Sequence, residues 1–187
     1  MISKELSATL GFAVKEAKKR RHEYVSIEHI LFAILNDPNG VDIIENCGGD
    51  IENLLDALEN FFDEKIERIP EGNDYVLQQT IGFQRVIQRA VNHARSAEKQ
   101  EVAVADVLAS IFLEKDSHAE YFLSAEGITR LDVLNYISHN IGKDSFGESP
   151  GGLVRPGKEE KDRRRQPNPL EQFTLNLIEL AAEGKLD

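Results

Sequence analysis

A single cysteine, Cys47, stands among 187 residues. No internal disulfide can close, so a secreted, disulfide-stapled scaffold is excluded and a reducing, cytoplasmic compartment is expected. No run of about 20 apolar residues is present, so no membrane span or membrane partner is expected. The segment from Met1 to Leu10 carries Lys4 and Glu5 in place of an apolar core and does not read as a signal peptide. An excess of positive charge is also missing. The 22 Lys and Arg face 33 Asp and Glu, a net charge of −11, which argues against nucleic acid as a partner, because neutralising phosphates needs Lys and Arg. Alternation of apolar and polar residues is nowhere long enough to suggest a sheet.

What is present is helical and divides in two. Residues 142–157 read GKDSFGESPGGLVRPG, followed by the charged run KEEKDRRR. Such composition cannot bury enough apolar surface to offset ordering entropy, so 143–167 is expected to be a flexible linker. The linker holds 7 positive and 5 negative charges, and the tail 168–187 holds 1 and 4, which leaves −10 on residues 1–142. In the tail, Asn168, Pro169 and Glu171 have N-cap, N1 and N3 chemistry. Leu170, Phe173, Leu177, Leu180 and Ala181 form an apolar stripe that ends before Gly184, the pattern of an amphipathic helix.

Within 1–142 the caps are legible. Ser3, Ser26 and Asp50 precede apolar-periodic stretches, Asp37-Pro38 breaks one, and 70–74 is turn-rich. The pattern then repeats. Leu6, Leu10, Ala13 and Ala17, moved by 77 residues, become Phe83, Ile87, Ala90 and Ala94 behind the cap Thr80. The same shift takes Val25 to Val102, Ile30 to Val107, Ile34 to Ile111, Ile51 to Ile128 and Leu54 to Leu131. The expected fold is therefore all-α: a tandem duplication of a four-helix unit, packed as one eight-helix domain with a pseudo-twofold. Leu131, Leu134 and Ile137 are expected to face the core from the last helix.

Catalytic chemistry is hard to find. Gly152 to Lys158 fits G-x-x-x-x-G-K, but Glu159 stands where magnesium needs Ser or Thr, and no strand precedes it. His22 and His29, near Glu23 and Glu28, have no standard ligand spacing and no cysteine partner, which leaves at most a weak surface metal contact. Glu28 reads as a first-turn carboxylate beside the Ser26 cap. The run Lys15, Lys18, Lys19, Arg20, Arg21 and His22 reads as a solvated helix end, and Cys47 as a small buried residue. No Ser-His-Asp arrangement and no G-x-S-x-G is present, so binding rather than catalysis is expected, with no cofactor and no metal in this chain.

Three blocks carry a resemblance. The segment from His22 to Leu31, HEYVSIEHIL, resembles the H-E-[FY]-x-[ST]-x-E-H-[IL]-L signature of the Clp N-terminal repeat. Phe83 to Ala90, FQRVIQRA, and Arg130 to His139, RLDVLNYISH, resemble blocks of the ClpA-type unfoldases. Asn176, Leu177, Leu180, Ala181, Gly184, Leu186 and Asp187 are similar to the lead into that family's first ATPase module. The resemblance implies a mobile recognition domain for a ClpS-type adaptor and for protein substrates, which the full unfoldase passes to the ClpP peptidase. ATP and magnesium are then expected only in AAA+ modules beyond Asp187. By the same resemblance the adaptor surface falls at Glu23, Glu28, Thr80, Gln84 and Arg85, on an acidic domain suited to a basic or mixed-charge partner. The alternative is a stand-alone domain that regulates a Clp protease by binding adaptor or protease without ATP hydrolysis.

Overall fold

The computed structural model describes residues 1–144, with side chains to residue 140. The Gly152–Lys158 match, nearly all of the expected linker and the expected tail helix lie outside the described residues. The elements run α1 (Lys4–Lys19), β1 (Tyr24–Val25), α2 (Ile27–Leu35), α3 (Pro38–Asn46), α4 (Ile51–Lys65), β2 (Gln78–Gln79), α5 (Ile81–Ser96), α6 (Val104–Ile111), α7 (His118–Ala125) and α8 (Arg130–Asp144).

Several helices begin where polar caps stand, although α6 begins after Ala103. Ser3 Oγ accepts from Leu6 N–H and Thr80 Oγ1 from Phe83 N–H, both at 3.1 Å. Asp37 and Asp50 accept from the first-turn amides of α3 and α4. With Asp37 as cap and Pro38 in the first turn, the Asp37-Pro38 break is also the start of α3. Every residue of α2 is buried. Such a helix must be central, and α2 packs against α1, α3, α4, α5, α6 and α7.

The duplication is visible atom by atom, and the repeats interlock. Thr80 N–H donates to Val25 C=O at 3.1 Å, and Ser3 N–H donates to Val102 C=O at 3.0 Å. These are the same bond shifted by 77 residues, each reaching into the other repeat. One forms the parallel ladder of β1 and β2; the other is the Ile2–Val102 bridge. Among the described residues the fold is all-α as expected, and the sheet consists of two strands of two residues, too short to leave an alternation to read. Both long helices also end alike: Arg21 (φ 57°) and Glu98 (φ 54°), again 77 apart, take the left-handed conformation.

After α6 the offset changes. Asn36 alone separates α2 from the cap Asp37, whereas Leu113, Glu114, Lys115 and Asp116 separate Phe112 from the cap Ser117. Three residues are inserted, and α7 is one residue shorter than α3, so the later elements match at 79. Gly48 (φ 84°) then matches Gly127 (φ 77°), the left-handed residues ending α3 and α7. Leu54 (1% exposed) matches Val133 (0%). The expected pairing of Leu54 with Leu131 is therefore corrected: Leu131 is 64% exposed.

Two further expectations are corrected. Arg20, Arg21 and His22 are not a solvated helix end, because the left-handed turn at Arg21 folds them back onto the domain. Arg20 makes a two-bond pair with Glu59 at 2.7 and 2.8 Å and lies over the rings of Phe32 and Phe62. Arg21 donates to the carbonyls of Ile69, Pro70 and Asn73, each at 2.8 Å, and so holds the turn before β2. His22 is fully buried, as is His29, so neither offers a surface metal contact. Cys47 is half-buried at the end of α3, and burial raises its thiol pKa.

Candidate functional site

The ladder between β1 and β2 organises the candidate surface. Gln78 N–H donates to Glu23 C=O at 2.9 Å and Thr80 N–H to Val25 C=O. The chain entering α2 from the first repeat is thereby fastened to the chain entering α5 from the second. Glu23 is exposed just before β1, and Thr80, half-buried, follows β2 as the cap of α5. Gln84 and Arg85 are exposed one turn further along α5. Behind them α5 approaches α2 closely at Gly82: a Cβ there would lie 2.8 Å from Ile27 Cδ1. A larger residue there would have to push the end of the Ile27 side chain aside.

Four of the five expected residues thus gather at one junction. Arg85 is already paired: its Nε and Nη2 donate to the two oxygens of Glu114 at 3.1 and 2.8 Å, and Arg89 donates to the same carboxylate. Glu114 comes from the three-residue insertion and is itself buried.

Glu28 is placed differently. It is 7% exposed, and its Oε1 accepts from the amides of His118 and Ala119 at 3.0 and 3.3 Å. A carboxylate there satisfies orphan donors and complements the dipole of α7. Its role in this geometry is to tie α2 of one repeat to α7 of the other.

Beside that anchor lies an aromatic cluster missed from the sequence. Phe61 packs on His118 at 4.5 Å and on Phe122 at 6.1 Å, and Tyr121, 65% exposed, packs on Phe122 at 5.8 Å. Tyr24 is exposed in β1, and Ile81 is exposed at the first residue of α5, just after the ladder. Exposed aromatic and apolar side chains beside polar ones suit a protein interface. Consecutive aromatics on a short helix were the available signal, since Tyr121 and Phe122 cannot both face the core.

At the pseudo-equivalent junction the counterpart of Glu28 is Ala105. Ala105 lines a cleft of about 470 Å³ there, together with Ser3, Glu5, Lys99, Glu101 and Tyr136. Among the described residues, no cluster of three or more His, Cys, Asp or Glu is arranged to hold a metal, and no helix is long and apolar enough to cross a membrane.

Comparison with known proteins agrees with this architecture. Residues 1–126 match the Clp repeat (R) N-terminal domain family. The chain is 39% identical over 193 residues to a ClpA homolog protein of Fuscovulum blasticum, an alignment covering 99% of this chain and 24% of that protein. The chain therefore spans about a quarter of that relative's length. The N-terminal domain of Hsp104 from Candida albicans has the same fold, with a TM-score of 0.65 at 11% identity over 75% of this chain and 91% of that one. So has the N-terminal domain of ClpD from Arabidopsis thaliana, with a TM-score of 0.55 at 19% identity over 73% and 94%. With its two interlocked repeats and its match over 1–126, the chain belongs to the Clp repeat (R) N-terminal domain family.

Proposed function

We propose that this chain is the recognition end of a ClpA-type unfoldase. It receives a ClpS-type adaptor that presents protein substrates, and it meets some substrates directly. ATPase modules outside residues 1–187, using ATP and magnesium, then unfold them for the ClpP peptidase in the cytoplasm. One observation carries the reading: the β1–β2 ladder joins the entries of α2 and α5, so Glu23, Thr80, Gln84 and Arg85 gather around the exposed Tyr24 and Ile81. Glu28 contributes by holding α7 and its aromatic cluster beside that junction. A surface with apolar centres and a polar rim is suited to binding a folded adaptor.

Fluorescence anisotropy with a labelled ClpS-type adaptor tests this. Saturable binding is expected, and it should weaken with Glu23→Lys. No binding up to about 100 µM, weaker than an ordinary transient complex, would overturn the reading.

A further inference from the structure

The two repeats differ most sharply at one place. Helix α5 carries Arg85, Arg89 and Arg95 and no acidic residue, although the net charge of the chain is −11. Its counterpart α1 has Ala8 where α5 has Arg85, and Phe12 where α5 has Arg89. Phe12 stacks on Phe32 at 6.3 Å, an ordinary packing role. The carboxylate between the two arginines, Glu114, stands on the insertion that the first repeat lacks. Two independent departures from the duplication thus converge on one cluster, which the fold alone does not require.

The charge balance of the cluster is incomplete. Arg85 alone matches Glu114 with two parallel bonds, the geometry a guanidinium prefers. Arg89 adds a second positive charge to the same carboxylate. Two guanidiniums on one carboxylate leave a net charge of about +1. Among the described residues, Arg85 Nη1 and Arg89 Nε and Nη2 donate to nothing. The two side chains are 54% and 39% exposed, while Glu114 is held beneath at 9%. Ile81, 72% exposed, lies four residues before Arg85, so Ile81, Arg85 and Arg89 form one stripe along α5. Leu113, 42% exposed, adjoins Glu114.

We infer that the Ile81–Arg85–Arg89 stripe receives a protein partner through a carboxylate flanked by an apolar side chain, with Glu114 fixing both guanidiniums in place. The carboxylate takes the unused N–H groups, and the apolar side chain covers Ile81. The inference deepens the partner-binding reading above and rests on it. It also reverses the local charge rule, because an acidic domain would otherwise select a basic partner at this spot.

The test uses the full 187-residue chain with two 12-residue probe peptides of equal leucine content, one rich in Glu and one in Lys. The Glu peptide should bind at least about tenfold more tightly than the Lys peptide, with a preference that weakens as salt rises. Arg85→Gln/Arg89→Gln should abolish the preference. Because that variant strips a buried carboxylate of both partners, the triple variant adding Glu114→Gln removes the charge as well, and circular dichroism confirms its fold. Equal or tighter binding of the Lys peptide, binding of neither, or a preference that survives in the folded triple variant would each overturn the inference. So would displacement of the Glu peptide by a single-stranded oligonucleotide, which would mark a phosphate site. A labelled ClpS-type adaptor forms the second arm. If the adaptor binds the wild type and the triple variant equally and no peptide preference is seen, this inference fails while the binding reading stands. If the adaptor binds neither, the binding reading fails and the peptides still decide this one.

Discussion

His22 and His29 show one position in the fold satisfied by two chemistries. The Ser26 N–H donates to His29 Nδ1 at 3.0 Å, so His29 carries its proton on Nε2. That proton goes to His22 Nδ1 at 2.8 Å. His22 in turn carries its proton on Nε2, which has no partner among the described residues. Burial, followed by the Arg20 charge, lowers the pKa of His22 to about 4. Burial, followed by His22 and Arg20, lowers that of His29 to about 3. Both lie below the ordinary value of 6.5, so the unfolded chain takes up protons first as pH falls. The stability that depends on these neutral rings is whole above pH 6.5 and is lost as pH falls through 4 toward 3. Each unit of depression is worth about 1.4 kcal/mol. Proton NMR titration of the imidazole signals should show these two rings still neutral at pH 5; a midpoint near 6.5 for either would contradict the burial argument. In the second repeat the same places hold Lys99 and Asp106, paired at 2.7 Å, and Asp106 accepts from Ala103 N–H as His29 does from Ser26. His22→Lys alone buries an unpaired charge and should cost about 3–5 kcal/mol. Adding His29→Asp should recover about 1–3 kcal/mol of that in a double-mutant cycle read by urea denaturation. The 77-residue offset relates His22 to Lys99 and His29 to Asp106, but the apolar pattern that reveals the offset carries no sign of buried polar pairs.

At the scale of elements, legibility followed the caps and the apolar spacing. Ser3, Thr80, Asp50 and Ser117 each sit where a helix starts, and the inward faces of α1 and α5 are as the period requires: Leu6, Leu10, Phe83 and Ile87 are each no more than 1% exposed. The two-residue strands were not legible, because their bonds join segments more than fifty residues apart, and nothing local announces them. The register of α8 failed for a different reason. Leu131 and Leu134 keep an apolar spacing, and only the backbone shows that three residues were gained and one lost on the way. The corrected register has a measurable consequence. Leu54→Ala removes a fully buried side chain and should cost about 2–5 kcal/mol. Leu131→Ala removes an exposed one and should stay within about 0.5 kcal/mol. Chemical denaturation of both variants checks this, and a large loss at Leu131 would restore the 77-residue offset there. The basic run teaches the same lesson at a helix end. Its composition is that of a solvated terminus, but a left-handed Arg21 turns Arg20 and Arg21 back against α4 and the loop before β2.

The whole molecule depends on exchange between its halves: Val25 with Thr80, Val102 with Ser3, and Glu28 with the first turn of α7. This exchange explains why the candidate surface was only partly legible. The resemblance located Glu23, Glu28, Thr80, Gln84 and Arg85, but spacing could not say which carboxylate would point outward, since both are single residues near one helix start. The geometry separates them, and the separation can be tested. Glu23 is exposed, and its side chain enters no hydrogen bond or ion pair among the described residues. Glu23→Lys should leave the melting temperature within a degree or two of wild type, because an isolated surface charge contributes little to folding. Its effect should fall on adaptor binding, where reversing a rim charge slows encounter with an oppositely charged partner. Glu28→Lys should do the reverse. It places a cation against the amides that Glu28 now receives, loses two charge-assisted hydrogen bonds, and breaks the tie between the repeats. The expected cost is about 2–4 kcal/mol, the range for unpairing a buried charged group. Glu28→Gln keeps an acceptor oxygen for the same amides and should cost about half as much. Calorimetry and adaptor titration on the three variants give six numbers. If Glu28→Lys melts like the wild type, the α2–α7 tie does not hold the domain together. If it then also loses adaptor affinity, Glu28 belongs to the binding surface after all, and its carboxylate must turn outward to meet the partner.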